Sequence, residues 1–313
     1  MRPLRLLAIL AALAAPGTRA ATTVALPSWA CDANQSLFRS GFQDGERIPS
    51  DPSHGSGGIA PGKTFRTLHL AGLAGGSQNY YVYTPPDYTP SRPWPLLLAL
   101  HGSGAYGSQE NNAATTRDNW SSMAQSRHFL VAAPVASAEV WSGGVDYSTW
   151  LVPPVAGLSD YDLLAAVVAD MEGAYNVDRA RLYGWRFSAG AHVMHDLMLG
   201  SYSPQGVDAN AFAAYGVSAG GLQQLVCSGV SDAACSTFLS GATRKIPLDI
   251  HLGSTDPLYT SYGAGDDPTI LANAGWVNGQ NLFYTLMSGT GHSYDGNQLA
   301  HIWINICPFA VEP

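Results

Sequence analysis

Charge is scarce in this chain. Only 12% of its 313 residues are Asp, Glu, Lys or Arg, and 23 acidic side chains outnumber 15 basic ones. Without Lys/Arg clusters there is no electrostatic footprint for a nucleic acid or an anionic membrane surface. Long apolar runs are missing too, apart from Leu6–Ala15, which is too short to cross a bilayer as a permanent anchor. Cysteine is sparse: Cys31, Cys227, Cys235 and Cys307, with no pair at the two-residue spacing of a zinc knuckle. No internal repeat, charge block or linker divides the sequence, so a single domain is the simplest reading.

The first residues have a character of their own. Arg2 and Arg5 precede the apolar run, and Thr18-Arg19-Ala20 supplies small residues at the positions signal peptidase reads. Residues 1–20 are therefore expected to be a secretory signal, with the mature chain starting near Ala21. Losing Arg2, Arg5 and Arg19 leaves twelve basic residues against 23 acidic ones, a net charge of −11. A neutral or uncharged-polymer substrate suits that surface. In an exported protein the four cysteines are expected to form disulfides, and four allow three connectivities. Cys227 and Cys235 are close enough to clip a short loop, which leaves Cys31 to join Cys307.

Residues 21–63 read as an irregular arm, rich from Cys31 onward in Gly, Ser, Pro and Asp. Beyond it, strand-length apolar runs alternate with helical patterns. Strands are expected at Phe65–Leu70, Asn79–Tyr83, Pro95–Leu100, Phe129–Pro134, Arg181–Trp185, Ala211–Val217, Pro247–Leu252 and Asn281–Met287. Helices are expected at Asn112–Gln125, Asp160–Tyr175, Ser188–Leu199 and Gly296–Ile306. The first two strands read as a hairpin meander and the rest as βα units. The fold class is thus α/β, a mostly parallel central sheet with flanking helices, over residues 64–313.

Two stretches carry Ser-Ala-Gly, and they differ in setting. Gly216-Val217-Ser218-Ala219-Gly220 has the Gly-x-Ser-x-Gly letters of a serine hydrolase, but Gly221 follows at once and no long helix can start there. Arg186-Phe187-Ser188-Ala189-Gly190 has arginine where the box wants glycine, yet a strand precedes it and a breaker-free helix follows. A sharp strand-to-helix turn exposes a serine hydroxyl above the helix N-terminus. Ser188 is the better nucleophile.

Its partners should lie downstream. "IPLDIHLGSTDPLY" sets Asp256 just past a strand, whereas its rivals Asp249, Asp266 and Asp267 fall within a strand or a polar loop. "MSGTGHSYDG" sets His292 in a glycine-rich loop before the last helix. The order Ser188, Asp256, His292 is that of an α/β-hydrolase triad. His192 and His195 share a helix without the glutamate of a metalloprotease, and His54, His69, His128, His251 and His301 have ordinary settings. "LLLALHGSGAYG" ends a buried strand with a turn whose Ser103 N–H, with that of Ala189, forms a candidate oxyanion hole. No metal or cofactor is expected.

The stretches "FRTLHL", "YYVYTPPDYTPSRPWPLLLALHGSG", "WSSMAQSRHFLVAAP", "YNVDRARLYGWRFSAGA", "HLGSTDPLY" and "GHSYDGNQLAHIW" together resemble the secreted polyhydroxybutyrate depolymerase and feruloyl-esterase-like group of α/β-hydrolases. The resemblance implies the same triad, the oxyanion turn at Ser103, and a serine strand marked by Val177-Asp178-x-x-Arg181-x-Tyr183. It implies a secreted serine esterase acting on polyhydroxyalkanoate-type polyester, or alternatively a feruloyl or acetyl esterase on plant polysaccharide. Arg186 departs from the pattern and implies a relaxed turn, a side chain escaping along the surface, or a cation beside the active site. A weakened hydrolase serving as a binding protein is therefore a further alternative. Aromatics at Trp120, Trp141, Tyr147, Trp150 and Tyr161 include candidate cleft residues, with Trp141 and Trp150 foremost beside Arg186, and "EVWSGGVDYSTWLVPP" reads as an irregular insertion that could wall a cleft. A monomer acting on an ester, without nucleic-acid or membrane partners, is expected.

Overall fold

The computed structural model describes residues 21–31, 48–58, 60–73, 76–142 and 145–312. Residues 1–20, read as the signal, and 32–47 of the arm lie outside the described residues. In chain order, β1 (Thr22–Ala25) is followed by β2 (Gly62–His69), β3 (Ser77–Thr84), β4 (Trp94–Leu100) and the short β5 (Gly104–Ala105). Helix α1 (Gln109–Arg127) leads to β6 (Leu130–Pro134), β7 (Ala138–Ser142) and β8 (Val145–Thr149). Next come α2 (Asp160–Ala174), β9 (Val177–Phe187), α3 (Ala189–Leu199), β10 (Ala214–Ser218) and α4 (Asp232–Ser240). The order continues with β11 (Leu248–Gly253), α5 (Pro257–Ser261), α6 (Asp267–Asn273), β12 (Leu282–Met287), α7 (Gly296–Ile306) and β13 (Phe309–Glu312).

Eight strands form one sheet in the order β12-β11-β10-β9-β4-β6-β3-β2. The β2–β3 and β3–β6 pairs are antiparallel and every other neighbour is parallel. The parallel strands are largely apolar because both faces of the sheet are covered, with Asp178 and Arg186 in β9 and Asp249 and His251 in β11 as buried polar exceptions. Alternation sorts their side chains. Leu96, Leu98, Leu100 and Leu182 pack with Leu164, Met171, Met194 and Leu197 of α2 and α3 on one face. Leu97, Ala99, Tyr183 and Trp185 pack on the other with Trp120 of α1 and Leu299, Ile302, Trp303 and Ile306 of α7. The buried positions of α7 recur every three or four residues, the stripe of a helix lying on a sheet. Ser159 and Asp162 close a capping box at the start of α2, and Asp295 caps α7 through the Gln298 N–H.

The arm is more regular than its composition implied. β1 pairs antiparallel with β13, and Cys31 is joined to Cys307 beside that pairing. Cys227 and Cys235 form the second disulfide. Asp178 accepts from the backbone N–H of Asp51 and pairs with Arg181, while the Tyr183 hydroxyl lies 2.8 Å from the Phe309 carbonyl. The Val-Asp-x-x-Arg-x-Tyr stretch therefore holds the arm at Asp51 and the start of β13 against β9. The stretch read as an irregular insertion contains two paired strands: β7 pairs antiparallel with β8, and β8 takes β5 as its other neighbour.

The chain leaves β4 to form β6 on one side and later returns to place β9 on the other. Loops leaving β4 and β9 diverge there, and such a switch point opens a crevice at the strands' carboxyl ends.

Candidate active site

Ser188 sits at that crevice, between the last residue of β9 and the first of α3. Its backbone has φ 55° and ψ −126°, a conformation that non-glycine residues rarely adopt. The Ser188 N–H donates to the Ser218 carbonyl, which pins the turn to the neighbouring strand. Gly190 lets α3 approach β4: a Cβ there would lie 2.6 Å from the His101 carbonyl oxygen. At Gly102, a Cβ would lie 2.8 Å from the Ser188 Cβ. Both glycines are required by close approach, so the β4 turn presses directly on the serine.

The structure brings the other two triad candidates to this hydroxyl. His292 Nε2 lies 2.7 Å from Ser188 Oγ, and His292 Nδ1 lies 2.9 Å from Asp256 Oδ2. Asp256 is fully buried and is the N-cap of α5, where its Oδ1 accepts the Leu258 N–H at 2.8 Å. One oxygen is held by the backbone and the other faces the imidazole, so the carboxylate cannot rotate away. His292 rests on Phe187, with ring centroids 5.0 Å apart. Geometry allows Nδ1–H to donate to Asp256, which leaves Nε2 to accept the serine proton.

The rival serine has no such setting. Ser218 is fully buried, and its Oγ accepts the Trp185 indole N–H at 3.2 Å. Its glycines serve packing, since Cβ atoms at Gly216 and Gly220 would lie 2.3 Å from Ile302 and 2.1 Å from Ala191. Of the rival acids, Asp267 is buried against the Leu222 N–H, and burial pushes its carboxyl well above the usual range. Asp249 lies beside His251 inside β11.

His101 and Trp150 shape the turn after β4. The Ala136 N–H donates to His101 Nε2 at 3.2 Å, so the ring proton is on Nδ1, 2.7 Å from the Gly102 carbonyl. Trp150 Nε1–H donates to the His101 carbonyl at 2.9 Å. Burial brings the His101 pKa down to about 4, which keeps the ring neutral near pH 7. With the carbonyls of residues 101 and 102 turned toward these rings, the Ser103 N–H of the trans peptide points the opposite way. Ser103 Oγ donates to Thr149 Oγ1 at 2.9 Å, which ties the turn to the end of β8.

Two cleft candidates have to be corrected. Trp150 is only 4% exposed and braces the turn instead of lining a cleft. Arg186 is fully buried, so it neither escapes along the surface nor reaches substrate. The reason is strand parity: residues 182, 184 and 186 face α3, as shown by the Cβ of a residue at Gly184 meeting the Met194 side chain. Arg186 Nη1 donates to the Gly190 carbonyl at 3.3 Å, and the guanidinium carbon lies 5.8 Å from the Trp150 ring centroid. Its Nε and Nη2 have no hydrogen-bond partner among the described residues. Burial pulls its pKa well below the usual arginine value, against the attraction of Tyr161 and Asp160. Trp120 and Tyr161 are core residues, and the side chains of Trp141 and Tyr147 lie outside the described residues.

No family model matches the chain. Over 124 residues, 40% of its length, it is 30% identical to a bifunctional acetylxylan esterase/xylanase from Neocallimastix patriciarum, of which it spans only 16%. Its structure is similar to that of a thermostable esterase, with a TM-score of 0.52 and 18% identity, covering 79% of this chain and 58% of that one. It is also similar to a variant of the feruloyl esterase module from Clostridium thermocellum complexed with sinapinate. There the TM-score is 0.53 and the identity 14%, over 85% of this chain and 95% of that one. The chain has the α/β-hydrolase fold.

Proposed function

We propose that this α/β-hydrolase is a secreted serine esterase that cleaves carboxylic esters through an acyl-enzyme. The hydrogen-bonded chain Asp256–His292–Ser188 is the observation that carries the reading. Ser188 Oγ attacks the acyl carbon while its proton passes to His292 Nε2. The buried Asp256 carboxylate orients the ring and stabilises the imidazolium. The N–H groups of Ser103 and Ala189 receive the oxyanion, and losing one such donor typically costs about 3 kcal/mol of transition-state stabilisation. Collapse of the tetrahedral intermediate returns the proton to the departing alkoxide. Water then repeats the sequence on the acyl-enzyme and releases the acid. Two disulfides fit the oxidising compartment that secretion implies.

For substrate, we assign acyl esters on plant polysaccharide. The acetylxylan esterase/xylanase likeness supports this class, and the feruloyl esterase module shares the fold. The polyester reading rested on the family resemblance as a whole, and of the stretches that carry it the Val-Asp-x-x-Arg-x-Tyr strand has its polar side chains engaged in holding the arm and β13, which says nothing about substrate.

Fluorophosphonate labelling tests the chemistry. The expected adduct is on Ser188 and is lost in Ser188→Ala. No adduct would instead favour the binding-protein reading, and an adduct on Ser218 would overturn the choice of serine. Acid release from acetylated and feruloylated arabinoxylan, run beside clearing of a polyhydroxybutyrate film, tests the substrate class. Clearing of the film without arabinoxylan turnover would reverse the assignment.

A further inference from the structure

Away from the triad, three metal-ligand side chains converge between β11 and α7. Leu248 and Ile250 pack into the core on the α2–α3 side of the sheet. Asp249 and His251 are one residue out of phase and face α7, where they meet His301. His251 Nε2 lies 3.1 Å from Asp249 Oδ2 and 3.3 Å from His301 Nδ1. The three donor atoms all lie within 4.8 Å of one another. Asn305 Nδ2 donates to Asp249 Oδ2 at 2.9 Å.

Hydrogen bonding alone accounts poorly for this cluster. A single proton on His251 Nε2 can be donated to the carboxylate or to the second imidazole, but not to both. Asp249 Oδ1 and His251 Nδ1 are buried without a partner among the described residues. One cation between the three donors would serve them together. Zinc–nitrogen and zinc–oxygen bonds of about 2.0–2.2 Å give tetrahedral edges of roughly 3.3–3.6 Å. The observed 3.1 and 3.3 Å separations are close to those edges. Imidazole and carboxylate donors suit a borderline divalent ion better than calcium or magnesium, which take oxygen ligands.

We propose that Asp249, His251 and His301 bind one divalent transition ion of the zinc class, with water as the fourth ligand. His301 is exposed and gives the ion its way in, while Asp249 and His251 are buried. Asn305 holds the ligating carboxylate oxygen from behind. The role is structural. The ion clamps β11, whose carboxyl end delivers Asp256, to α7, whose preceding loop delivers His292. Metal binding here does not depend on the esterase reading.

The test uses the whole mature chain, freed of metal with a chelator and titrated with zinc chloride by calorimetry. One ion per chain is expected, with a rise in Tm of about 5 °C at a hundredfold excess over Kd. His301→Ala, at an exposed position that does not threaten folding, is expected to weaken binding roughly 100-fold, and Asn305→Ala roughly tenfold. Cobalt(II) should give the intense visible bands of a tetrahedral site in the parent protein and lose them in His301→Ala. The absence of one-to-one zinc binding, or binding unchanged in His301→Ala, would overturn the proposal.

Discussion

Replacing Arg186 separates two explanations of the irregular elbow. If the position wants glycine, Arg186→Gly should relieve the turn and raise turnover. The structure argues otherwise, because the guanidinium fills a closed space beneath α3 and donates to the Gly190 carbonyl. Two variants isolate the effect of that filling. Arg186→Met removes the charge and keeps most of the volume; Arg186→Gly removes both. Relief from burying a cation is common to the pair and cancels in their difference. What remains is the cavity, about 3–5 kcal/mol for a large side chain, and about 1 kcal/mol for glycine inside a strand. The glycine variant should therefore be less stable than the methionine variant by about 5 kcal/mol, or roughly 9 °C in Tm. Against the parent, the methionine variant should be near neutral, since shedding a poorly paired buried charge offsets the lost hydrogen bond.

Poor pairing is measurable by contrast with Arg244, which is also buried. Arg244 donates to Thr23 Oγ1 and to the carbonyls of Ala209, Phe212 and Ala213. Among the described residues the hydrogen bond of Arg186 is to the Gly190 carbonyl alone. Urea denaturation of parent and both variants gives the stabilities, and hydrolysis of a short-chain p-nitrophenyl ester gives turnover. A glycine variant as stable as the methionine variant, and faster than the parent, would refute the space-filling account.

Two other perturbations probe the same shell. Trp150→Phe keeps an aromatic ring and removes the donor to the His101 carbonyl, so kcat should fall about tenfold with little change in KM; a loss confined to KM would show that Trp150 contacts substrate. His195 is buried with its pKa held down to about 3, so below about pH 6.5 the unfolded chain takes up a proton that the folded chain refuses, and stability falls as pH drops. His195→Gln should flatten the pH dependence of unfolding free energy between about pH 6.5 and 3 by about 1.4 kcal/mol per pH unit, and an unchanged slope would contradict the burial argument.

Much of the fold was legible because the apolar runs match the parallel strands, most of which are buried on both faces and are therefore mainly apolar. The elbow was legible from context: a strand, a serine, then a helix without breakers. Asp256 and His292 stood out because each follows a strand in a turn-rich loop. Other features have no local signal. Pairing of β1 with β13 joins opposite ends of the chain. The pairing of β7 with β8 did carry a signal, with Gly143-Gly144 between two strand-like runs, but tryptophans drew the reading toward a cleft wall. The cluster of Asp249, His251 and His301 has no motif spacing because its third member comes from another element.

Arg186 itself was misread because a charged letter implies a surface, whereas its place in the strand implies the core. Parity is the stronger cue. In β9, Tyr183 and Trp185 face α7, so Arg186, one residue beyond Trp185, must face α3. On that face the room for α3 is made by Gly184, where a Cβ would lie 2.0 Å from the Met194 terminal carbon, and by Gly190 against the β4 turn. With close approach supplied on either side of it, position 186 itself has no backbone contact that demands glycine. A side chain can leave the strand there and lie under the helix. The Gly-x-Ser-x-Gly pattern encodes close packing around an exposed serine, and here glycines at 102, 184 and 190 provide it. Ser218 has the letters without the exposure. A nucleophile is recognised by which backbone surfaces its neighbours must let touch, and by that standard the arginine-bearing box is the regular one.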